Sequence, residues 1–429
     1  MSAEFKTGFA TRAIHAGSTP DSATGARATP IYQTNGFQFD SVEHGAEIFA
    51  LRKQGFAYSR ASNPTNATLE RRIASLEGGE VGIAASSGQS AWLIVMLTLL
   101  ASGDEYVGSR LLFGGSLGLM KRLEQRLNIM CRWAMPTPAS IEAAITPRTK
   151  AIIIETVINP TGEVVDLPAI AGIAKAHNIP LVVDNTLASP ALLRPIEHGA
   201  NIVIHSASKF TIGNGTAIGG LVVDGGNFNF VGDKRYPLVS EPWEEYDGIV
   251  LTEAAPKAPF AAACRLMGMK ELGPSMAPIL AFMFLNGLET LPLRMEKHVA
   301  NAGKVAGFLE AHPKFMHVSY PYLKSSPTRD LALRICPHGA GCIFMATLKG
   351  GREDVNTFIS KLKVFSHLVN IGESRSLVSH PASTTHRTLP IEDHALFGIT
   401  EGTIRFSVGL EDADDLLRDL EQALGFDVL

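Results

Sequence analysis

The segment PLVVDNTLASPALLRPIEHGANIVIHSASKF, residues 180–210, contains the pattern that decides the fold. Two short runs rich in β-branched residues, 180–184 and 202–205, each lead into polar residues that could carry chemistry. Similar runs alternate with amphipathic stretches over much of the preceding chain, at residues 81–85, 90–101, 105–109, 116–127, 129–134, 140–145, 150–155 and 167–177. This alternation is typical of βαβ units, in which helices cover both faces of a mostly parallel sheet.

The rest of the chain divides around this pattern. Residues 1–65 are rich in Thr, Ser, Pro and Gly, and we expect an arm with short helices there. Residues 66–285 form the predicted main domain, with a long irregular insertion at about 227–275. A long helix at 279–309, interrupted by Pro292, then leads into a smaller C-terminal α/β domain at 286–429.

Composition excludes several functional classes. The 429 residues are 45% hydrophobic and carry a net charge of −4 without a basic run, so we expect no nucleic-acid or membrane partner. The longest apolar run, residues 91–101, is about half the ~20 residues that a membrane-spanning helix needs. The N-terminal residues lack the apolar stretch of a secretory signal, and a cytoplasmic protein is expected.

No metal site is expected. The four cysteines show no CxxC pair, and His380 and His386 are separated by six positions across a proline. The glycine-rich residues 213–219 lack the spacing of a dinucleotide-binding loop and precede a strand, so they indicate an ordinary loop.

Three segments each allow a functional and a structural interpretation. Residues 85–90, ASSGQS, lie between a strand and an apolar helix, where backbone N–H groups can hold an anion or a serine can simply cap the helix. Asp184 follows a buried strand, where ligands bind in open α/β sheets, but an aspartate there is often a helix cap. Lys209 follows the next strand, where it could form an imine or extend its amine to solvent.

Together the three segments are more specific. An anion cradle, a carboxylate and a lysine 25 residues after that carboxylate all fall on one edge of the predicted sheet. Pyridoxal 5'-phosphate (PLP) needs these parts: a phosphate anchor, an anion for its pyridine nitrogen and a lysine for the Schiff base. The sequence therefore predicts a PLP site.

In these three segments and in several others, the chain resembles the PLP-dependent enzymes of cysteine and methionine metabolism, the cystathionine γ-synthase-like family. The resemblance implies the large PLP-dependent transferase fold, with a mostly parallel seven-stranded sheet between helices and a smaller C-terminal α/β domain. The insertion is most similar to that of O-acetylhomoserine sulfhydrylases. The matching segments run in family order: YSRASNPT (58–65), SSGQ (86–89), Glu155 with Asn159 and Pro160, VDN (183–185), SASK (206–209), HPASTTH (380–386) and TIRFSVGLED (403–412).

The resemblance also implies roles for individual residues. Lys209 would carry PLP and move protons, and Asp184 would pair with the pyridine nitrogen. Asn159 would lie near the cofactor and the substrate, and Arg405, helped by Ser376, would bind the substrate α-carboxylate. The phosphate would be held by residues from two segments: Ser87, Gly88, Gln89, Ser206 and Ser208.

Two N-terminal residues have a different implied position. Tyr58 and Arg60 would reach the phosphate of a neighbouring subunit, so the resemblance implies a homo-oligomer, with a tetramer of two dimers expected.

Three positions depart from related enzymes and bear on the reaction. Phe113 stands where the family usually has a tyrosine. The phenylalanine keeps the ring that stacks on the cofactor but lacks the hydroxyl that could donate a proton. Gly115 stands where methionine γ-lyases typically have cysteine. Arg375 replaces an acidic residue that contacts the distal ammonium in cystathionine enzymes.

The loss of the tyrosine hydroxyl at position 113 favours an activated ester as substrate, because acetate leaves as a stable anion without an acid. The insertion points to the same substrate. We therefore expect a transferase of methionine biosynthesis and trans-sulfuration that uses O-acetylhomoserine with sulfide or a thiol to make homocysteine or methionine. The alternatives are a methionine or cystathionine γ-lyase and a γ-replacement enzyme with a non-sulfur nucleophile. A non-catalytic PLP-binding homologue is disfavoured, because binding alone would not need Arg405.

Overall fold

A computed structural model describes residues 7–387 and 389–425 of the chain. The first six residues of the predicted arm and the last four of the predicted C-terminal domain lie outside these ranges.

The larger sheet has seven strands in the order β1-β7-β6-β5-β4-β2-β3, and only β7 runs antiparallel to its neighbours. The prediction of a mostly parallel seven-stranded sheet is confirmed. Its strands are β1 (Val81–Ala85), β2 (Glu105–Ser109), β3 (Met130–Ala134), β4 (Thr149–Glu155), β5 (Leu181–Asp184), β6 (Ile202–Ser206) and β7 (Gly220–Asp224).

The smaller sheet has five strands in the order β10-β11-β12-β9-β8. Pairing is antiparallel except between β10 and β11. Its central strands β9 and β12 are buried along their whole length, which places the second core between them and the helices that follow. The strands are β8 (Phe315–Val318), β9 (Ile343–Leu348), β10 (Ser366–His367), β11 (Leu377–Ser379) and β12 (Thr403–Ser407).

Seventeen α-helices lie in the described residues, and none of them is long and apolar enough to cross a membrane. They are α1 (Phe9–His15), α2 (Val42–Phe49), α3 (Pro64–Glu77), α4 (Gly88–Leu99), α5 (Gly114–Leu127), α6 (Pro138–Ala144), α7 (Leu167–Ala176), α8 (Ser189–Leu192), α9 (Pro237–Ser240), α10 (Leu251–Ala254), α11 (Pro259–Ala263), α12 (Pro278–Glu289), α13 (Leu291–Ala311), α14 (Arg329–Ile335), α15 (Arg352–Lys361), α16 (Ile391–Leu396) and α17 (Ala413–Leu424).

Helices α3 and α4 cover opposite faces of the large sheet. Asp184 on β5 is paired in register with Ile204 on β6, so His205 points to the other face. The Asp184 carboxylate contacts Trp92 of α4, whereas the His205 ring contacts Glu77 of α3. The sheet is therefore covered on both sides, as the βαβ pattern predicts.

The predicted long helix occurs as two helices, α12 and α13, which are separated at Thr290. Pro292 lies in the first turn of α13, where its missing N–H costs nothing. The domain boundaries at residues 65 and 285 remain predictions.

The insertion at 227–275 is more regular than expected. It contains α9, α10, α11, a 3₁₀ helix at Glu244–Tyr246 and a π-helix at Cys264–Leu272. Cys264, Leu266 and Met269 are buried there, and the π-helix packs against α4. The expectation of an irregular segment relied on its Gly and Pro residues and overlooked the apolar spacing within residues 259–272.

Candidate active site

The carboxyl ends of β4, β5 and β6 lie side by side and border a cavity of about 480 Å³. Glu155 at the end of β4 is paired in register with Asp184 at the end of β5. Lys209 lies just beyond β6 and lines the same cavity. Because these strands are parallel, residues that are distant in sequence meet at one edge of the sheet.

Asp184 is a half-buried carboxylate that faces this cavity. Its Oδ2 accepts a hydrogen bond from Trp92 Nε1 at 3.1 Å, and its Oδ1 accepts one from the Thr186 backbone N–H at 2.9 Å. Burial raises the pKa of Asp184 above its usual value, although these hydrogen bonds oppose the shift. A cationic N–H in the cavity would offset the burial and favour the ionised carboxylate.

The N-terminus of α4 forms the anion cradle. Ser87 caps the helix, and its hydroxyl accepts a hydrogen bond from the Ser90 N–H at 3.1 Å, which leaves the amides of Gly88 and Gln89 at the open first turn. A Cβ at Gly88 would lie 2.9 Å from the Cβ of Ser206, so glycine lets the helix approach β6 closely. Both Gly88 and Ser206 line the cavity.

Ser208 completes this end of the cavity. Its hydroxyl accepts a hydrogen bond from the Gly219 N–H at 3.0 Å and donates one to the Gly219 carbonyl at 3.3 Å, so a phosphate oxygen would replace that carbonyl as the acceptor. The cradle thus combines backbone amides with two serine hydroxyls, a donor set suited to phosphate.

Lys209 is half-buried and lines the cavity. Its Nζ donates a short hydrogen bond to Asn370 Oδ1. Burial lowers the pKa of Lys209, the nearby Arg405 lowers it further, and Glu373 opposes both effects. A lowered pKa increases the fraction of neutral amine, which is the form that attacks a carbonyl.

Arg405 on β12 is a buried cation. Its Nη1 donates to Asn159 Oδ1 at 3.3 Å and its Nη2 donates to the Asn370 carbonyl at 3.0 Å. Burial lowers the pKa of Arg405 to about 10, so the guanidinium stays charged at neutral pH. No carboxylate of the described residues lies within salt-bridge distance of it. A buried guanidinium that has only amide acceptors suits an incoming carboxylate.

Phe113 lies at the cavity mouth, with 36% of its surface exposed. Its backbone N–H donates to Glu155 Oε1 at 2.7 Å, and the Asn159 N–H donates to Glu155 Oε2 at 3.2 Å. Burial, followed by the charge of Asp184, raises the pKa of Glu155 well above its usual value. Glu155 therefore positions two segments that border the cavity, a role not assigned from the sequence.

The glycine at position 115 is matched to this ring. A Cβ at Gly115 would lie 2.5 Å from Phe113 Cε1, so a cysteine there would displace the phenylalanine.

The structure places three residues with implied roles outside the cavity. Ser376 is buried elsewhere, where its hydroxyl donates to Glu411 Oε2 at 2.9 Å and accepts from the Gly409 N–H at 2.8 Å. Its placement does not support the expected help to Arg405, because Asn159 and Asn370 contact the guanidinium instead.

Tyr58 and Arg60 also lie away from the cavity of their own chain. The Arg60 guanidinium lies over the Tyr58 ring at 5.5 Å and donates to the Lys270 carbonyl. Both side chains are exposed, as residues that serve another subunit would be.

Sequence reasoning missed Trp92 and Asn370 as cavity residues. Trp92 lies four positions after Gly88 on α4, so helical periodicity places it on the face that begins at the anion cradle. Asn370 lies 161 residues from Lys209, and no local pattern indicates that contact.

These features fit PLP. The cavity offers an amide and hydroxyl cradle for a phosphate, the half-buried Asp184 carboxylate for a cationic ring nitrogen and a lysine whose pKa is lowered. The close approach of α4 at Gly88 keeps the cradle open at its amides. The remaining cation, Arg405, suits an amino-acid carboxylate.

Comparison with known proteins agrees with this geometry. The family described as "Cys/Met metabolism PLP-dependent enzyme" matches residues 10–425. An O-acetyl-L-homoserine sulfhydrylase of Leptospira meyeri is 42% identical over 424 residues, which cover 96% of each chain. An L-methionine gamma-lyase of Treponema denticola is 37% identical and covers 98% of this chain and 97% of its own.

A solved structure is similar over almost the whole length. It is that of a putative O-acetylhomoserine (thiol)-lyase from Campylobacter jejuni, which contains N'-pyridoxyl-lysine-5'-monophosphate. The TM-score is 0.94 at 36% identity, and the match covers 97% of this chain and all of that one.

Proposed function

This chain belongs to the PLP-dependent enzymes of cysteine and methionine metabolism, and from that membership we propose that it catalyses γ-replacement on O-acetylhomoserine, with sulfide or a thiol as nucleophile. The Cγ–O bond breaks and acetate leaves with the bonding electrons, while a Cγ–S bond forms and the thiol proton is released. The product is homocysteine with sulfide and methionine with methanethiol.

The observation that carries the choice of leaving group is Phe113 at the cavity mouth. The ionisable side chains that line the cavity are Glu155, Asp184, Lys209 and Arg405. Both oxygens of Glu155 are occupied by backbone N–H groups, and Asp184 is held by Trp92 and Thr186. Of these four side chains, we assign proton transfer to Lys209, whose pKa is lowered. A carboxylate leaving group needs no second acid, whereas a thiolate benefits from one.

The cofactor, when bound, supplies an electron sink that stabilises negative charge at the substrate Cα. Asp184 would hold a proton on the ring nitrogen, and Gly88, Gln89, Ser206 and Ser208 would hold the phosphate. Ser87 would keep that cradle in shape by capping α4.

The substrate would be bound and deprotonated by the other side of the cavity. Arg405 would bind the α-carboxylate through two N–H groups, and Asn159 would orient the guanidinium. The Lys209 amine would take the proton from Cα and move protons at Cβ. Phe113 would cover the cofactor ring and exclude water from that face.

Arg375 supports an ester substrate over cystathionine. Its guanidinium is 68% exposed, and its Nη1 lies 3.5 Å from Glu373 Oε2 near the cavity. A distal ammonium approaching this point would meet the exposed cation of the Arg375–Glu373 pair instead of the acidic residue that cystathionine enzymes have at position 375.

We further propose a cytoplasmic homo-oligomer in which Tyr58 and Arg60 reach the phosphate of a neighbouring chain. This proposal is supported by the lack of a cation for the cofactor phosphate among the described residues that line the cavity. The cradle at α4 offers only amides and hydroxyls, and we assign Lys209 and Arg405 to other groups. A phosphate carries close to two negative charges at neutral pH, which favours an added arginine.

Two measurements test the proposed function. Borohydride reduction and peptide mapping should place a pyridoxyl group on Lys209, and a label on another lysine would contradict the site. A panel of O-acetylhomoserine, O-succinylhomoserine, cystathionine and methionine, each with and without sulfide, should then show the fastest turnover for O-acetylhomoserine with sulfide. Faster release of methanethiol from methionine would instead favour the γ-lyase.

A further inference from the structure

Asn370 connects the two cations of the cavity. Its side-chain oxygen accepts a hydrogen bond from Lys209 Nζ, and its backbone carbonyl accepts one from Arg405 Nη2 at 3.0 Å. One residue therefore sets the position of the amine relative to the guanidinium. The loop that carries it, between β10 and β11, has no other direct contact of this kind with Lys209 in the described residues.

Glu373 determines how the Asn370 amide is oriented. Asn370 Nδ2 donates to Glu373 Oε1 at 3.0 Å, and only 7% of Glu373 is exposed. A lysine ammonium can only donate hydrogen bonds and a carboxylate can only accept them. The amide oxygen must therefore face Lys209 while the amide nitrogen faces Glu373.

The charge of Glu373 is only weakly compensated. Its nearest cation is Arg375, at 3.5 Å, and that guanidinium is mostly exposed to solvent, which screens the pair. The other charged groups bordering the cavity are Arg405 from β12 and the carboxylates Glu155 and Asp184 from β4 and β5. Two charged groups outside the segment of Lys209 act on the pKa of that lysine: Arg405 lowers it and Glu373 raises it.

We propose that Asn370 and Glu373 form a positioning relay for Lys209, in which the amide holds the amine beside Arg405 and the buried carboxylate sets the amine's charge. The proposal rests on the proposed role of Lys209 in proton transfer. Neither residue needs to touch the substrate or the cofactor. Each acts through the lysine, so both are positioning residues.

The test measures the protonation of Lys209 directly. After removal of the cofactor, the full-length chain is labelled with trace acetic anhydride from pH 6 to 11, and mass spectrometry follows the Lys209 peptide. Glu373→Gln keeps an acceptor for the Asn370 amide and removes the charge. Because the charge stabilises the ammonium, its removal should lower the labelling midpoint by about one pH unit. Below the midpoint, Lys209 should then react roughly tenfold faster.

A charge swap separates this electrostatic role from a structural one. The double variant Asn370→Asp with Glu373→Gln returns one negative charge to the relay and places it in contact with Lys209. Its labelling midpoint should rise above that of Glu373→Gln and reach or exceed that of the wild type. Glu401→Gln serves as the matched control, since Glu401 is paired with Arg352 far from the cavity and should leave the midpoint unchanged.

The holoenzyme gives a second readout. The acid limb of its kcat/KM profile for O-acetylhomoserine should move in the same direction as the labelling midpoint in each variant. An unchanged midpoint in Glu373→Gln, or equal midpoints in the single and double variants, would overturn the relay. Borohydride mapping distinguishes the two failures: a pyridoxyl group on Lys209 with unchanged midpoints refutes only the relay, and a group elsewhere refutes the proposed function.

Discussion

At the scale of single residues, the burial of Arg405 most directly favours an anionic ligand in the cavity. The guanidinium is 3% exposed and contacts two amide oxygens. Such a cation loses its hydration without gaining a compensating charge from the protein. A substrate carboxylate supplies that charge, and the planar fork of the guanidinium suits its two oxygens.

We expect Arg405→Lys to weaken substrate binding while leaving cofactor absorbance unchanged. The ammonium keeps the charge and loses the paired N–H geometry, which costs roughly 1.5–3 kcal/mol. This corresponds to a rise of about ten- to a hundredfold in KM for O-acetylhomoserine. Steady-state kinetics measure it, with Arg352→Lys on the surface as control. Equal KM values in both variants would move the carboxylate site elsewhere.

Position 113 separates the proposed reaction from its alternative. Phe113→Tyr adds a proton donor at the cavity mouth, so elimination of methanethiol from methionine should improve. General acid help is worth ~10²–10⁴-fold when ideally placed, and an introduced hydroxyl should recover part of it. Turnover of O-acetylhomoserine should change only modestly, because acetate needs no acid. The ratio of acetate release to methanethiol release, in wild type and variant, measures the effect.

The substrates act as each other's control in that experiment. A variant that slows both reactions equally would indicate a displaced ring instead of a missing acid. A wild-type chain that already releases methanethiol faster than acetate would contradict the ester assignment.

Single residues also show which parts of the site the sequence can predict and which it cannot. Lys209 and Asp184 could be predicted as cavity residues because each follows a buried strand, and parallel strands bring such positions together. Asn370 and Glu373 could not, since they reach Lys209 through a loop of the other sheet. The resemblance implies that Ser376 helps Arg405, whereas the Ser376 hydroxyl in the structure is held by Glu411, a contact that depends on the folded chain.

At the scale of secondary structure, α4 performs two tasks. Its first turn presents the amides of Gly88 and Gln89, and one turn later Trp92 holds the Asp184 carboxylate. The helix thereby fixes the distance between the anion cradle and the carboxylate. The π-helix at Cys264–Leu272 packs against α4 and braces it from the other side.

We expect Trp92→Phe to weaken cofactor binding. The change removes the indole N–H and leaves Oδ2 of the half-buried Asp184 carboxylate without this donor, while the ring still fills most of the space. A hydrogen bond to a charged group is worth roughly 1.5–3 kcal/mol, so the Kd for PLP should rise about tenfold or more. Equilibrium dialysis measures the Kd, and Trp133→Phe on β3 is the matched control. Equal Kd values in the two variants would show that Asp184 does not depend on Trp92.

The elements differ in how well the sequence predicts them. Strands β4, β5 and β6 are short, apolar and β-branched, and each begins and ends near the predicted residues. The π-helix was not predicted, because its i to i+5 hydrogen bonds change the spacing of its apolar residues and Gly268 lies within it. Its stability depends on burial against α4, which is a tertiary contact.

At the scale of the whole molecule, the position of Tyr58 and Arg60 bears on the proposed site shared between chains. Both residues lie between α2 and α3, are exposed, and do not line the cavity of their own chain. If each site joins Lys209 of one chain to Arg60 of another, then variants of the two residues should complement each other. If each site belongs to one chain, they should not.

We therefore expect mixed subunits of Arg60→Ala and Lys209→Ala, each inactive or nearly so alone, to regain activity after joint refolding. A hybrid pair contains one site with both residues intact and one with neither, and half of randomly formed pairs are hybrids. Activity should thus return to on the order of a quarter of the wild type. The matched control mixes Lys209→Ala with Asp184→Ala, whose residues border the same cavity of one chain, so that no hybrid site is intact. Recovery no greater than in that control, with both parents folded, would place Arg60 outside the shared site and leave the phosphate to the cradle at α4 alone.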